Sequence, residues 1–257
     1  MKKKYLVIIL GITTLVILIW QLHLLDIHKI NVEIQNAKCV DEQNLKLALG
    51  LSGKNILLIK SKEVNKKLIA KYPCLREVQI EPQSLNTVKV LATGRTALAS
   101  VAPITTSTLT LDNQEATPSS SSALLNWSFP PFPINKTEIV DETGVIFGGD
   151  NTNLLTLFLP NQDLKIGQLV DLPGFDKIAI VLSKLPKLEI LIVRAKVEED
   201  NLLIDAEPKI AFSLEKDILR QLASLQLILQ KAKIDKKPME IIDLRFDKPV
   251  ITYYGQR

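Results

Sequence analysis

Apolar residues crowd into one unbroken stretch near the start of the chain and afterwards recur with alternating helical and strand periods. The stretch follows Lys2, Lys3 and Lys4 and runs from Tyr5 to Trp20, with Leu22, Leu24 and Leu25 extending it. About twenty such residues suffice for one helix to cross a bilayer core. The run ends in Leu24-Leu25-Asp26, without small residues at which a signal peptide would be cut. A retained transmembrane helix over 5–25 is therefore expected. The lysines upstream of it place residues 1–4 in the cytoplasm and everything after Asp26 outside.

Beyond the run, Ile30-Asn-Val-Glu-Ile34 alternates as a half-buried strand does. Asp41 is placed to cap a short helix carrying Leu45, Leu47, Ala48 and Leu49, which Gly50 stops. Ile56 to Ile59 reads as a short buried connector. Ser61 is the expected cap of a second helix, in which Val64, Leu68 and Tyr72 recur on one face and Lys62, Lys66, Lys67 and Lys71 cover the rest. That lysine face reads as solvated surface, with anionic lipid or wall polymer as the alternative contact. Pro73 closes the helix. Strands over 77–80 and 87–91 follow, giving the order strand, helix, helix, strand, strand.

From Ala102 to Pro133 the pattern dissolves into Ser, Thr and Pro, and a mobile linker or insert is expected there. Trp127, Phe129 and Phe132 interrupt it and read as packing anchors for the next region. A hairpin is expected at Glu138–Phe147 around Asp141-Glu-Thr-Gly144. A helix follows from Asp176 to Leu185, then strands over 188–193 and 201–204 flanking Glu198-Glu-Asp200, and another over 209–212. Ser213 is the expected cap of the clearest helix, whose stripe comprises Ile218, Leu219, Leu222, Leu225, Ile228 and Leu229. Strands over 240–246 and 250–254 close the pattern. The expected fold class is α+β: a transmembrane helix over 5–25, a small βααββ domain over 26–101, a linker over 102–134, and a mainly antiparallel β domain with two helices over 135–257.

Composition narrows the function. A net charge of +4 over 257 residues is too weak to imply nucleic acid. Cys39 and Cys74 are the two cysteines. A disulfide would persist outside the cytoplasm, but two mostly buried free thiols are the expectation, since spacing alone does not bring them within bridging distance. His23 and His28 sit at the boundary of the apolar run, where His23 reads as an interfacial residue rather than a ligand. No H-E-x-x-H, G-x-S-x-G or phosphate-binding glycine motif occurs, and the carboxylates of Asp141-Glu142 and Glu198-Glu199-Asp200 fall in turns. No catalytic centre, cofactor or metal site is expected. What remains is binding by an exposed strand edge. Val250, Ile251, Thr252, Tyr253 and Tyr254 are the best candidates, because Pro249 favours an edge and the two tyrosines point to opposite faces. Asp243 and Arg245, on a common face one strand earlier, are expected to pair.

Four strings carry a resemblance. They are Ile30–Ile34 with Gly53-Lys-Asn-Ile-Leu-Leu-Ile59; Tyr72-Pro73 through Val78-Gln-Ile80; Val140-Asp-Glu-Thr-Gly-Val-Ile-Phe147; and Ile242-Asp-Leu-Arg-Phe-Asp-Lys-Pro-Val250. In order and spacing these resemble the bacterial cell-division family FtsQ, called DivIB in Gram-positive organisms. The family has a cytoplasmic tail, one membrane helix, a POTRA domain and a β domain. Thr93-Gly-Arg-Thr-Ala97 departs from the family's E-R-x-P-x-A segment, keeping Arg95 and Ala97. The resemblance implies a non-catalytic divisome scaffold in the plasma membrane at the septum. Its partners would be FtsB (DivIC) and FtsL, with FtsB received at 250–254. A POTRA-type chaperone of protein export or outer-membrane assembly is the alternative, but the final strands are short for a membrane barrel.

Overall fold

The structure, a computed structural model, describes residues 9, 11–17, 25–37, 39–104, 127–130, 138–149, 153–160 and 163–255. They fall into two compact units that divide at Arg95/Thr96. The expected transmembrane helix is corrected. Within the apolar run, described residues 11–17 are helical. No helix among the described residues is long and apolar enough to cross a membrane. The rest of the run up to Leu24 lies outside the described residues, as do most of 102–134 and Phe132. The fold class is thus α+β in two units, and no transmembrane helix is present among the described residues.

Unit 1 is built on strands β1 (Lys29–Gln35), β2 (Leu75–Ser84) and β3 (Thr87–Gly94), with helices α1 (Glu42–Leu49) and α2 (Ser61–Lys71) between β1 and β2. The sheet order is β1-β3-β2, with β1 parallel and β2 antiparallel to β3. Alternation in β3 buries Val88, Val90 and Ala92, against which α1 sets Leu45 and Leu49 and α2 sets Leu68. Asp41 caps α1 by accepting from the Asn44 N–H at 2.7 Å, and Gly50, at φ 54°, supplies the left-handed stop.

Three expectations fail in this unit. Ile56–Leu58 is a 3₁₀ turn whose Leu57 and Leu58 are exposed, not a buried connector. Lys60, not Ser61, occupies the cap position of α2. Cys39 and Cys74 form a disulfide, with Cα atoms 6.5 Å apart across 35 positions of sequence.

Unit 2 is a nine-stranded sheet in the order β12-β11-β10-β9-β8-β7-β4-β5-β6. Its strands are β4 (Ala97–Ile104), β5 (Glu138–Asp141), β6 (Ile146–Phe147), β7 (Thr156–Pro160), β8 (Arg194–Glu198), β9 (Asn201–Asp205), β10 (Lys209–Ser213), β11 (Met239–Asp243) and β12 (Val250–Tyr253). Helices α3 (Phe175–Lys184) and α4 (Ile218–Asp235) complete it. The β4–β7, β7–β8 and β10–β11 pairings are parallel, so the sheet is mixed. Ile178, Val181 and Leu182 of α3 and Leu222 and Leu225 of α4 share one core with Leu157, Ala195, Leu202, Ile210 and Phe212 of the strands.

Local chemistry explains where the pattern misleads. Leu188 to Val193 is not a strand: Leu185–Leu188 is a 3₁₀ turn, Glu189 takes φ 62°, and Leu191 is exposed. The strand is the next five residues, which bury Lys196. Its Nζ donates to the Ser128 carbonyl at 2.9 Å and lies over the Phe129 ring. Trp127 similarly receives Lys209 over its ring. Asp217, not Ser213, caps α4, and Leu219 is exposed outside its core stripe. Ser213 ends β10 and is clasped by Gln221, which accepts from the Ser213 N–H at 2.9 Å and donates to its carbonyl at 2.8 Å.

The β5–β6 hairpin turns on Asp141. Its buried Oδ1 accepts from the Thr143 N–H, the Thr143 hydroxyl and the Val145 N–H at 2.9, 2.7 and 2.9 Å. Asp141→Ala leaves two backbone donors without that acceptor, a cost of about 2 kcal/mol or more. Urea unfolding of the full chain will show the unit 2 transition shifted by that amount; an unchanged midpoint would contradict this role.

Candidate partner-docking edge

A sheet ends in two edges, and in unit 2 they are treated differently. At one end, β6 has its outer side occupied. The Ile146 N–H donates to the Gln168 carbonyl at 2.8 Å, the Gly167 N–H donates to the Ile146 carbonyl at 2.7 Å, and Val145 bridges Leu169. At the other end β12 pairs with β11 alone, antiparallel, with Ile242 opposite Ile251 and Asp243 opposite Val250. In such a strand alternate residues direct their N–H and C=O away from the partner. Among the described residues no strand receives them.

The candidate residues occupy this edge as follows. Val250, Ile251, Thr252 and Tyr253 are β12, and Tyr254 follows in the turn. Ile251 and Tyr253 pack partly buried against the unit 2 core. Val250 and Tyr254 are 52% and 57% exposed. β12 carries no charge along its length, whereas the unit 1 edge strands bear the usual deterrents to strand addition: Lys29 and Glu33 on β1; Arg76, Glu77, Glu81 and Pro82 on β2.

The approach to β12 is held by Asp243 and Arg245. One carboxylate oxygen accepts from the Arg245 N–H and Nε, each at 3.0 Å, and the other from Nη2 at 2.8 Å, with both side chains nearly buried. The Leu244 N–H donates to the Ala211 carbonyl at 2.9 Å, fixing the chain as it leaves β11. Glu240 is the extra residue of a bulge in β11 between Met239 and Ile241, and a bulge increases local twist.

Beside this connection lies a cleft of about 570 Å³ between the start of α4 and the 244–249 loop, bordered by Lys216, Arg220, Phe246, Asp247 and Pro249. Lys216 reaches Asp247 at 2.7 Å and, through that hydrogen bond, holds the Asp247 carboxyl below its usual range. The contribution of this contact is present above the ordinary carboxylate pKa and is lost as pH falls through the lowered one; the full exposure of Asp247 keeps it small. The cleft was not legible in the sequence, since α4 and the loop meet only through the β10–β11 crossover.

Among the described residues no three His, Cys, Asp or Glu side chains are grouped to hold a metal. No protein-family model matches the chain, and no curated protein matches it.

Proposed function

We propose that this chain is a non-catalytic, membrane-associated scaffold acting outside the cytoplasm, which receives an extended segment of a partner as an added strand along β12. More specifically, it serves the bacterial divisome in the manner of FtsQ and DivIB. FtsB (DivIC) docks at Val250–Tyr254, FtsL joins the complex, and septal wall synthesis is regulated through the assembly. The observation that carries the reading is the contrast between the two ends of the unit 2 sheet: β6 closed by the 167–170 turn, β12 uncharged and open. The Cys39–Cys74 bridge supports an oxidising compartment, and the βααββ order of unit 1 supports the likeness to a POTRA domain.

Calorimetric titration of the detergent-solubilised full chain with the ectodomain of its genome's FtsB-type protein tests this. Lysines on an edge strand block addition of a further strand. Val250→Lys with Tyr254→Lys, both at exposed positions, is therefore expected to weaken binding at least about tenfold, roughly 1.4 kcal/mol, without moving the unfolding midpoint. No binding by the native chain, or equal binding by the double variant, would sink the proposal.

A further inference from the structure

Unit 1 has two dissimilar ends. At one, the chain leaves the sheet beside the disulfide. At the other, three segments converge on the point where the apolar run finishes. The Leu25 carbonyl accepts from the Ile56 N–H at 2.9 Å, Asp26 bridges Asn55, and the Ile27 N–H donates to the Lys54 carbonyl at 3.0 Å. The Asn86 carbonyl accepts from the N–H groups of His28 and Lys29 at 2.9 and 3.2 Å, bringing the β2–β3 turn alongside.

This end displays leucines. Leu57 is 76% exposed, Leu58 75% and Leu85 67%. They are fixed in place: the Asn55 side chain accepts from the Leu57 N–H at 3.0 Å and the Asn55 carbonyl from the Leu58 N–H at 3.1 Å. Leu85 sits in the two-residue turn between β2 and β3. Lys29, Lys54 and Lys60 outnumber the acids Asp26 and Glu63 here, Lys60 being paired with Glu63 at 3.0 Å. Such a mixture suits neither solvent nor a protein core.

We infer that this end of unit 1 is a lipid-contacting face, in which Leu57, Leu58 and Leu85 enter the headgroup–acyl boundary of an anionic bilayer. Lysine stems lie along the boundary with their ammonium groups toward lipid phosphates. Continuity identifies the occupant. The uncharged run from Tyr5 to Leu25 joins the patch through the Leu25–Ile56 hydrogen bond, so a surface that takes up the run is within reach of the leucines. The inference rests on the membrane-associated reading above and adds an orientation to it: unit 1 sits on the membrane by its Leu25 end, with the disulfide end away.

The test places a nitroxide at Leu58→Cys, Leu85→Cys or, as a control at the opposite end of β2, exposed Glu77→Cys, each in the full chain with the native disulfide closed. Samples are bound to phosphatidylcholine–phosphatidylglycerol vesicles, and collision with oxygen is compared with collision with a water-soluble nickel chelate. The expected result is a several-fold rise in the oxygen-to-nickel ratio at 58 and 85 over 77. The rise should be reduced by Lys29→Glu with Lys54→Glu. Vesicle-bound chain with all three labels equally open to nickel overturns the inference and leaves membrane association standing. Labels at 58 and 85 shielded from both reagents also overturn it, indicating a protein occupant. Failure of the full chain to bind vesicles overturns the membrane-associated reading together with the inference.

Discussion

Replacing both Cys39 and Cys74 with serine is expected to destabilise unit 1 by about 4 kcal/mol. The bridge closes a loop spanning 35 positions of sequence, and the loop-closure entropy it removes from the unfolded chain is worth roughly that amount at 25 °C. For a domain whose whole stability is on the order of 5–15 kcal/mol, the loss is a large fraction, corresponding to about 15–30 °C in Tm. Calorimetry of the full chain should show one transition moving down while the unit 2 transition stays. Amide exchange should assign the loss to β1–β3 rather than β7–β9. A reductant should reproduce the effect in the native chain. If the unit 1 transition does not move in either case, the bridge contributes nothing to its stability.

The geometry that allows this bridge also explains why the sequence pointed to free thiols instead. β1 and β2 are not neighbours, because β3 lies between them. To join Cys74, the segment after β1 has to pass over the end of β3. It turns there through Asn36 at φ 57° and crosses Gly94, where a β-carbon would collide with the Asn36 carbonyl. Gly94 is opposite Leu75, next to Cys74, and the Arg95 N–H and Nε donate to the carbonyls of Cys74 and Pro73 at 2.8 and 2.9 Å. The Thr93-Gly-Arg segment is the one that accommodates this crossing. None of it is a local signal.

The same division between local and distant causes runs through the rest of the fold. The helices were legible because burial on one face imposes the 3.6-residue period: Leu45 and Leu49, Val64 and Leu68, Leu222 and Leu225 all mark it. Asp141 was legible because its turn is made by residues within four positions of it. β8 was not, since the partners that receive its central, buried Lys196 include the Ser128 carbonyl and the Phe129 ring, more than sixty positions away. β4 and β7 were missed for a related reason: they pair in parallel across the long interval between them. At the candidate docking edge, Pro249 made β12 readable as an edge strand. That β6 is closed depends on Gly167 and Gln168, in a turn well beyond the hairpin itself.

Asp243→Ala is expected to cost unit 2 about 3 kcal/mol and to weaken partner binding as well. The substitution leaves the Arg245 guanidinium almost enclosed without its counter-charge, and removes the acceptor of the Arg245 N–H. Breaking a buried pair from one side costs more than the pair itself contributes, because a desolvated charge remains. The double variant Asp243→Ala with Arg245→Ala should therefore be more stable than Asp243→Ala alone, with a coupling of about 1–2 kcal/mol in the cycle. The pair sits between the last residue of β11 and the loop leading to β12, so its loss frees the register of the edge strand and binding falls along with stability. Val250→Lys with Tyr254→Lys should instead lower binding at constant stability. Measuring both quantities for both variants separates support of the edge from contact with the partner. Were Asp243→Ala to unfold at the native midpoint, or to bind at native strength while destabilised, the ion pair would not be what holds β12 in place for docking.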